Sequence, residues 1–421
     1  MKRFIHFFWE AFYLSWRAIL SHRLRTLLTM LGISIGIFSI TMIFTLVNTL
    51  QYSVTLNLSS LGSTILYVHN WPWKDNSEDW FKYFNRPKVS LADYEKLKNE
   101  LKYATAINFS YIKNGSTVKY LKKTAEGTQV VGCTKDFVFV NNFEIEKGRF
   151  LSEFEINGSR KSCVIGNQIA KNFFGSKSNP IGEEIIIKGK KFKIVGVFAP
   201  QGDMNIFGPS IDFQVIIPYT TFANTFDVTK RTVDRLITVK AESPEKILEV
   251  ENQIIGLIRA KRGLKPSQED NFSINKQEAL MKQFDQIFGA LNIGGTVISL
   301  FSLLVGGFGI ANIMFVSVKE RTVEIGIQKS LGSTKFFILQ QFLLESIILC
   351  VLGGLIGIFF LFSISGLLQW LIYMADLKLE MTIKWQDIFL GLGLSVIIGI
   401  LSGFLPAYTA ANLDPVEAMR S

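Results

Sequence analysis

The sequence predicts an integral membrane α-helical protein with four transmembrane helices and a large extracytoplasmic α+β domain carried on extended stalk helices. Hydrophobic residues make up 48% of the 421 residues and charged residues only 19%, which is less charge than a soluble chain of this length carries. Long runs without charge lie near the amino terminus and in the carboxy-terminal third, and each can span a bilayer. A long mixed segment, 51–280, separates the first run from the others.

The amino-terminal segment, residues 1–25, is basic and aromatic, a pattern typical of an amphipathic helix on the cytoplasmic membrane surface. A signal peptide is the alternative. It is disfavoured because the basic stretch before the apolar run is too long and no small-residue cleavage site follows. Residues 26–50 form the first predicted transmembrane helix, in which Gly32 and Gly36 give a GxxxG pair that permits close helix contact.

Three further transmembrane helices are predicted at 286–318, 336–375 and 388–410. Basic residues are concentrated at the amino terminus and in the loop 319–335, so the positive-inside rule places both termini and this loop in the cytoplasm. The short loop 376–387 and the domain 51–280 are then external, and 411–421 is a cytoplasmic tail. Positions expected to matter for packing or function within the spans are Gly32, Gly36, Glu345, Gly353, Gly357, Gly399, Gly403 and Pro406.

The first two spans are predicted to continue beyond the bilayer as stalks. A helix capped by Ser273 or Asn275 and continuing to Val318 would hold about 40 residues and reach about 60 Å, twice the thickness of a hydrocarbon core. The first span likewise has no helix breaker before Leu61-Gly62. Glycines at 289, 294 and 295 leave open an interruption of the second stalk.

The external segment combines strand and helix patterns, which indicates an α+β domain, in one lobe or two. The predicted strands are Gln129–Cys133, Ser162–Ile165, Glu184–Ile187, Phe192–Val197 and Gln214–Ile217. The predicted helices are Leu91–Leu101, Gln168–Phe174 and Pro244–Arg259, and turns are expected at Asn114-Gly115, Lys188-Gly189-Lys190 and Gln201-Gly202-Asp203. The aromatic-rich stretch 69–87 is interpreted as a loop packed on the domain, with a contact surface for substrate, partner or lipid as the alternative.

Several classes of function are excluded or disfavoured by absent motifs. The net charge of +10 comes without zinc-finger spacing or an RNP-like motif, so no nucleic-acid partner is expected. No phosphate-binding P-loop, hydrolase elbow or metalloprotease motif occurs, and no metal site is expected. Cys133 and Cys163 could form a disulfide if their segments are neighbours, whereas Cys350 lies in an apolar run. Glu345 is an intramembrane carboxylate, for which proton relay is one hypothesis.

A charged segment between the second and third spans is the centre of the functional prediction. Glu320, Arg321 and Glu324 have helical spacing and share roughly one face, while apolar residues supply the opposite one. A charged amphipathic helix between two spans must lie near the membrane interface. Two interpretations follow: a loop that only fixes topology, or a helix that docks a soluble partner.

Motifs along nearly the whole chain resemble one family. At the first span the motif is Arg23-Leu24-Arg25-Thr26-Leu27-Leu28. In the external domain the motifs are, in order, Gly148-Arg149-Phe150, Val164-Ile165-Gly166, Phe173-Phe174-Gly175, Pro180-Ile181-Gly182 and Ile194-Val195-Gly196-Val197. In the carboxy-terminal part they are Glu320–Ile327, Leu331-Gly332-Ser333, Glu345, Gly353–Gly357, Ser402–Ala407 and Asp414–Arg420. In this order the chain resembles four-span permeases of the MacB/FtsX/LolC type, the type VII or mechanotransmission ABC transporters, with a MacB-like periplasmic core domain.

The resemblance implies a non-enzymatic membrane subunit in the bacterial cytoplasmic (inner) membrane. It implies that the chain binds no cofactor, that ATP is bound by a partner ABC ATPase subunit, and that the permease dimerises with a second copy or a paralogue. MacB carries a fused amino-terminal ATPase, which this sequence lacks, so the ATPase is expected to be a separate protein. The residues implied in ATPase coupling are Glu320, Arg321, Glu324, Ile325, Gly326, Lys329 and Gly332.

The resulting prediction is that ATP-driven motion reaches the external domain and drives efflux of a substrate. A periplasmic adaptor, an outer-membrane channel and membrane lipid are further partners that the resemblance brings in. Alternatives within the family are lipoprotein extraction and regulation of a cell-wall hydrolase. Alternatives of another class are a proton-coupled transporter that uses Glu345 and a membrane sensor without energy input.

Overall fold

A computed structural model of the chain describes residues 23–59, 62–73, 80–175, 179–201, 210–374 and 381–420. The helices, in chain order, are α1 (Arg23–Ser59), α2 (Trp80–Phe84), α3 (Leu91–Glu100), α4 (Phe137–Asn141), α5 (Glu153–Asn157), α6 (Asn167–Phe174), α7 (Tyr219–Thr225), α8 (Ile247–Arg262), α9 (Gln277–Glu320), α10 (Thr322–Ser330), α11 (Lys335–Met374), α12 (Trp385–Asn412) and α13 (Pro415–Arg420). The strands are β1 (Ile65–His69), β2 (Ala104–Tyr120), β3 (Lys123–Cys133), β4 (Ile145–Gly148), β5 (Ser162–Ile165), β6 (Glu184–Ile187), β7 (Lys190–Phe198), β8 (Gln214–Pro218), β9 (Asp234–Ala241) and β10 (Ser273–Lys276).

The chain forms two compact units, a sheet domain over Val54–Asp285 and a helical unit made of the two flanking segments. Four described helices are long and apolar enough to cross a membrane: α1 over Met30–Leu56, and α9, α11 and α12 over their full lengths. The predicted fold class is therefore confirmed, since four candidate membrane helices accompany a large domain of mixed strands and helices. Of the amphipathic helix predicted at 1–25, residues 1–22 lie outside the described part of the chain, and residues 23–25 belong to α1.

The sheet domain is built on one ten-stranded mixed sheet in the order β10-β1-β9-β2-β3-β8-β5-β7-β4, with β6 paired to both β2 and β7. The pairs β3–β8 and β5–β7 are parallel, and the other pairs are antiparallel. Buried apolar clusters line it on both faces. In β8, Val215 and Ile217 belong to one cluster and Ile216 to another. Because alternate side chains point to opposite faces, both faces of the central strands are covered, which explains their continuous apolar sequences.

The predicted strands are confirmed, although β3, β7 and β8 extend beyond the predicted limits. The predicted helices correspond to α3, α6 and α8, the last preceded by a 3₁₀ turn at Pro244–Lys246. The turn at Lys188-Gly189 joins β6 to β7 with positive φ at both residues. The described strands form a single sheet, not two lobes. In the turn predicted at Gln201-Gly202-Asp203, residues 202 and 203 lie outside the described part of the chain.

Two local predictions are wrong. Asn114-Gly115 does not turn the chain; it lies within β2 at a register irregularity between Lys113 and Ser116, where Gly115 takes φ +67°. A bulge uses the same positive-φ residues as a tight turn, so the sequence pattern cannot separate them. Ser273 and Asn275 do not cap the second long helix, because they lie in β10 and pair with β1. The Asn275 carboxamide instead bonds the backbone of Trp71 and Trp73 at 2.9 and 2.8 Å.

The second long helix, α9, is uninterrupted over 44 residues, so the glycines at 289, 294 and 295 do not break it. At 1.5 Å per residue its length is about 66 Å. Helix α12 begins at Trp385, inside the loop predicted at 376–387, and residues 375–380 lie outside the described part. Cys133 and Cys163 are both free and buried, with β8 between their strands, so they form no disulfide in this structure.

Candidate functional site

The charged segment that the sequence singles out forms a short helix between two long ones. Helix α9 ends at Glu320, Arg321 leaves the helical conformation with φ −99° and ψ 14°, and α10 begins at Thr322. Helix α10 ends before Leu331 and Gly332, whose φ of +97° requires a glycine-like backbone. Short connections therefore hold α10 between α9 and α11, and a single residue separates it from α9.

Arg321 points into the helical unit. Its Nε donates to Glu324 Oε2 at 3.0 Å and its Nη1 donates to Glu345 Oε2 on α11 at 3.2 Å. Its guanidinium lies 5.3 Å from the ring centroid of Phe342, also on α11. The side chains of Arg321 and Glu345 are 16% and 7% exposed, whereas that of Glu324 is 65% exposed. Arg321 is thus held within the chain, and Glu324 is the charged group of this cluster that faces outward.

The other end of α10 is bound to the carboxy-terminal segment. Lys329 Nζ donates to the carbonyl oxygens of Ala411 at 2.8 Å and of Leu413 at 2.5 Å, at the end of α12. These are terminal carbonyls that lack helical partners, and a lysine is a suitable donor for them. Partial burial lowers the pKa of Lys329 from its ordinary value. Lys335 adds a bond to the Asn412 side chain at 3.1 Å.

Helix α13 packs along α10 at Gly326. A Cβ at Gly326 would lie 3.0 Å from Ala418 Cβ and 3.2 Å from Met419 Cγ, so a side chain at this position would require the neighbouring helix to move by a few tenths of an ångström. Ile325 is buried beside Gly326. An exposed apolar stripe is formed by Val323, Ile327 and Leu331, which have helical i,i+4 spacing. We call the set Val323, Glu324, Ile327, Leu331, Val416 and Met419 the α10–α13 face, since all six are exposed and lie on the paired helices or, for Leu331, directly after α10.

The predicted glycines divide into those at which an added Cβ would meet a neighbouring helix and one at which it would not. On α11, Cβ atoms at Gly353 and Gly357 would approach α1, at 3.2 Å from Met30 O and 2.7 Å from Ser34 O. On α12, Gly399 and Gly403 face Ile347 and Ser346 of α11 in the same way. A Cβ at Gly36 would lie 3.2 Å from the Leu303 side chain of α9, whereas a Cβ at Gly32 would meet nothing within 4 Å.

The structure brings together some of the predicted residues and adds others. The coupling residues Glu320, Arg321, Glu324, Ile325, Gly326, Lys329 and Gly332 all lie on α10 or within two residues of it, and Glu345 joins them through Arg321. Pro406 is buried inside α12. Sequence reasoning did not identify Phe342. It also missed Asn48, whose Nδ2 donates to Asp387 at 3.0 Å and whose Oδ1 accepts a hydrogen bond from Lys384 Nζ at 3.0 Å. An acid directly before a predicted span was the available sequence signal for Asp387.

Among the described residues, no group of three or more His, Cys, Asp or Glu side chains is arranged to hold a metal ion. The site presents an apolar stripe with an outward carboxylate at Glu324, and α10 is fixed at both ends by charged bonds to other helices. Such an arrangement suits the binding of another macromolecule.

Comparison with known proteins identifies both parts of the chain. Residues 26–257 match the family model of the MacB-like periplasmic core domain, and residues 296–415 match that of the FtsX-like permease C-terminal. Proteins called macrolide export ATP-binding/permease protein MacB are similar over nearly the whole chain: that of Vibrio parahaemolyticus is 35% identical over 98% of this chain and that of Acinetobacter baylyi 32% identical over 97%.

The chain spans only 60% and 59% of the length of these two relatives. Among solved structures, the periplasmic region of MacB from Actinobacillus actinomycetemcomitans is similar, with 18% identity, a TM-score of 0.44, and coverage of 55% of this chain and 97% of that chain. The four apolar helices and the matched domains indicate a multi-pass protein of the bacterial inner membrane. The chain belongs to the ABC transporter permease family in which a MacB-like periplasmic core domain is joined to an FtsX-like permease domain.

Proposed function

We propose that this chain is the permease part of an exporter in which ATP hydrolysis by an ABC ATPase drives conformational change in the sheet domain. The ATPase docks on the α10–α13 face, in the cytoplasm. The sheet domain lies outside the membrane, and both termini lie inside, as the distribution of basic residues predicts. The ATP is bound by the ATPase, and this chain supplies the docking helix and the external domain.

The observation that carries this proposal is the α10–α13 face itself. Val323 and Ile327 are exposed on a helix whose two ends are fixed by Arg321 and Lys329, and Leu331 is exposed directly after it. An exposed apolar stripe on a supported helix is typical of a contact surface for another protein. Because α10 connects directly to α9 and α11, force applied to it is transmitted to two membrane helices.

The relatives support export as the outcome. MacB proteins of Vibrio parahaemolyticus and Acinetobacter baylyi are called macrolide export ATP-binding/permease proteins. We infer that this chain acts on a substrate of similar chemistry, a large amphiphilic molecule, together with a second permease copy or a paralogue. A periplasmic adaptor and an outer-membrane channel belong to the same proposal. Proton relay by Glu345 is disfavoured, because its partner Arg321 is a permanently charged guanidinium that does not exchange protons near neutral pH.

The docking surface is tested with two matched substitutions. Leu331→Asp places a charge on the α10–α13 face, whereas Leu121→Asp places the same charge on the β2–β3 turn; both leucines are 83% exposed. The tagged chain is purified with its ATPase from native membranes, and ATP hydrolysis in the eluate is measured. We expect Leu331→Asp to lower the co-purified ATPase activity at least about tenfold, as loss of a docking contact of ~1.4 kcal/mol or more would. Leu121→Asp is expected to retain it.

Equal ATPase activity with both variants would contradict docking on this face. Wild-type chain without any associated ATP hydrolysis would contradict the proposed function as a whole. Transport that persists without ATP and disappears in Glu345→Gln would favour the proton-coupled alternative.

A further inference from the structure

We propose that Glu345 is a positioning residue that, through Arg321, fixes the direction in which α10 leaves α9 and so gives movement at α10 a second route into α11, besides the loop 331–334. This inference rests on the proposed function, because it concerns how docking at the α10–α13 face is transmitted. It assigns to the buried carboxylate of α11 a mechanical role in coupling.

The junction between α9 and α10 is a natural pivot. Arg321 alone separates the two helices, and its φ and ψ set the angle between them. The Arg321–Glu324 bond joins two residues at the start of α10, so this bond moves with α10 and does not connect α10 to another helix. The bond from Arg321 Nη1 to Glu345 Oε2 crosses to a different helix and therefore fixes the pivot.

Glu345 is itself held in a closely packed part of α11. The residue is 5% exposed, and its neighbours Phe342 and Ser346 are almost fully buried. Ser346 occupies the space above Gly403 of α12, where a Cβ would lie 1.9 Å from its Oγ. Helix α11 cannot shift here without displacing α12, so the carboxylate is a fixed point relative to the pivot.

Loss of the negative charge at Glu345 is expected to let the angle between α9 and α10 vary, while the α10–α13 face stays intact. Arg321 would stay charged and would lose its buried partner. It would then turn to Glu324 and solvent, both of which are available on the exposed side of α10. The α10–α13 face would still bind the ATPase, but its movement would reach α11 only through the loop 331–334 and no longer through the Arg321–Glu345 ion pair.

The test is a double-mutant cycle in the complete complex with its ATPase, reconstituted in lipid nanodiscs. The variants are Glu345→Gln, Arg321→Gln and the pair together, and kcat and KM for ATP are measured. We expect each single variant to lower kcat on the order of tenfold with KM unchanged, and the double variant to be no slower than the slower single one. Arg321→Lys keeps the charge but replaces the planar guanidinium by a single ammonium, so it should retain more kcat than Arg321→Gln and less than the wild type.

Ser363→Ala is the matched control on α11, because its exposed hydroxyl bonds only the backbone of its own helix. It is expected to leave kcat, KM and ATPase association unchanged. Association of the ATPase with every variant is measured in the same preparations. Normal kcat in Glu345→Gln, or additive losses in the double variant, would overturn the positioning role while leaving the proposed function intact. A wild-type complex that fails to hold an ATPase would overturn the proposed function instead.

Discussion

At the residue scale, Glu155 of the sheet domain shows how one acid joins several elements. It accepts bonds from Arg149 Nη1 and Nη2 at 2.6 and 3.0 Å, from Ser162 Oγ at 2.9 Å, and from the backbone and hydroxyl of Ser152 at 2.8 and 2.9 Å. The Arg149 guanidinium above all, and then the two serines, lower the pKa of Glu155 to about 2 from an ordinary value of 4.5. The carboxylate thus links α5, β5 and the segment after β4.

Glu155 is predicted to make the sheet domain acid-sensitive. A carboxyl group whose pKa is lowered in the folded state stabilises that state above the unfolded pKa, here 4.5, and the contribution is lost as the pH falls toward 2. Glu155→Gln should lower the free energy of local unfolding by about 1–2 kcal/mol at pH 7 and remove most of this pH dependence. Hydrogen exchange of the β5 amides in the solubilised chain measures both effects.

The matched control is Glu153→Gln, two residues away, whose carboxylate is 63% exposed and contacts Lys135 at 3.1 Å. Exchange in β5 is expected to stay near wild type in that variant. Identical exchange in both variants across pH 2–7 would show that the Glu155 network contributes nothing particular.

Residue roles were only partly predictable from the sequence. The spacing of Glu320, Arg321 and Glu324 indicated a charged helical face, and all three lie at the start of α10 or beside it. The spacing could not show that Arg321 points inward, because its partners Phe342 and Glu345 are brought close only by the packing of α11. The role of Arg321 in direct contact with an ATPase stays a prediction, and Glu324 is the better exposed candidate.

At the element scale, α11 is packed through its glycines. We predict that Gly357→Ala destabilises the helical unit by about 1–3 kcal/mol, because a Cβ there would lie 2.7 Å from the carbonyl oxygen of Ser34 on α1. Gly366→Ala on the same helix is the control. A Cβ at Gly366 meets nothing within 4 Å, and alanine favours the helix by up to about 1 kcal/mol. Thermal unfolding in detergent should separate the two variants, and equal melting temperatures would contradict the packing.

Helix α13 depends on Lys329 for its position. We predict that Lys329→Met loosens α13, since the carbonyls of Ala411 and Leu413 lose their donor just before that helix. Amide exchange at Ala418, whose N–H donates to Asp414 O at 2.9 Å, should accelerate about tenfold or more, on the scale of one lost charged hydrogen bond. Lys319→Met removes an exposed lysine at the end of α9 and should leave exchange at Ala418 unchanged. Unaltered exchange in Lys329→Met would contradict this support.

The strands that were predicted correctly from the sequence have a clear apolar pattern, and several others were missed. Strands β5 and β6 match the predicted limits, because mainly apolar runs of 4 residues bounded by turn residues are too short for a helix and indicate strands. Strand β2 was missed, since its polar stretch from Lys113 to Ser116 resembles a turn. Strands β1 and β10 are short and follow or precede long helices, so local sequence reads as a continuation of those helices.

At the scale of the whole molecule, the boundaries between the two units fall inside continuous helices, at residues 53–54 in α1 and 285–286 in α9. If movement reaches the sheet domain along α9, an intact helix at the boundary is required. Gln286→Pro removes a helical hydrogen bond and clashes with the preceding turn, at a cost of about 3 kcal/mol or more. Gln286 is exposed, so the substitution disturbs the backbone with little loss of side-chain packing.

We predict that Gln286→Pro abolishes export while ATP hydrolysis by the docked ATPase continues. A macrolide serves as the probe of the proposed substrate class: the tolerance of cells that express the complex measures export, and ATP hydrolysis in purified complex measures the other activity. Gln286→Ala keeps the helix and should behave as wild type in both. Undiminished tolerance in the proline variant would show that an unbroken α9 is unnecessary for transport.

The position of β1 has a consequence for biosynthesis. Its neighbours in the sheet are β9 and β10, the last two strands of the domain to be synthesised. At translation rates of 5–20 residues per second, β1 therefore remains without either partner for a time on the order of ten seconds. During that time its apolar residues, among them Leu66 and Val68, which are fully buried in the finished domain, stay accessible to holdase chaperones and to other nascent chains. Yield of the protein should accordingly depend on how well the cell protects this strand until the ribosome has passed Lys276.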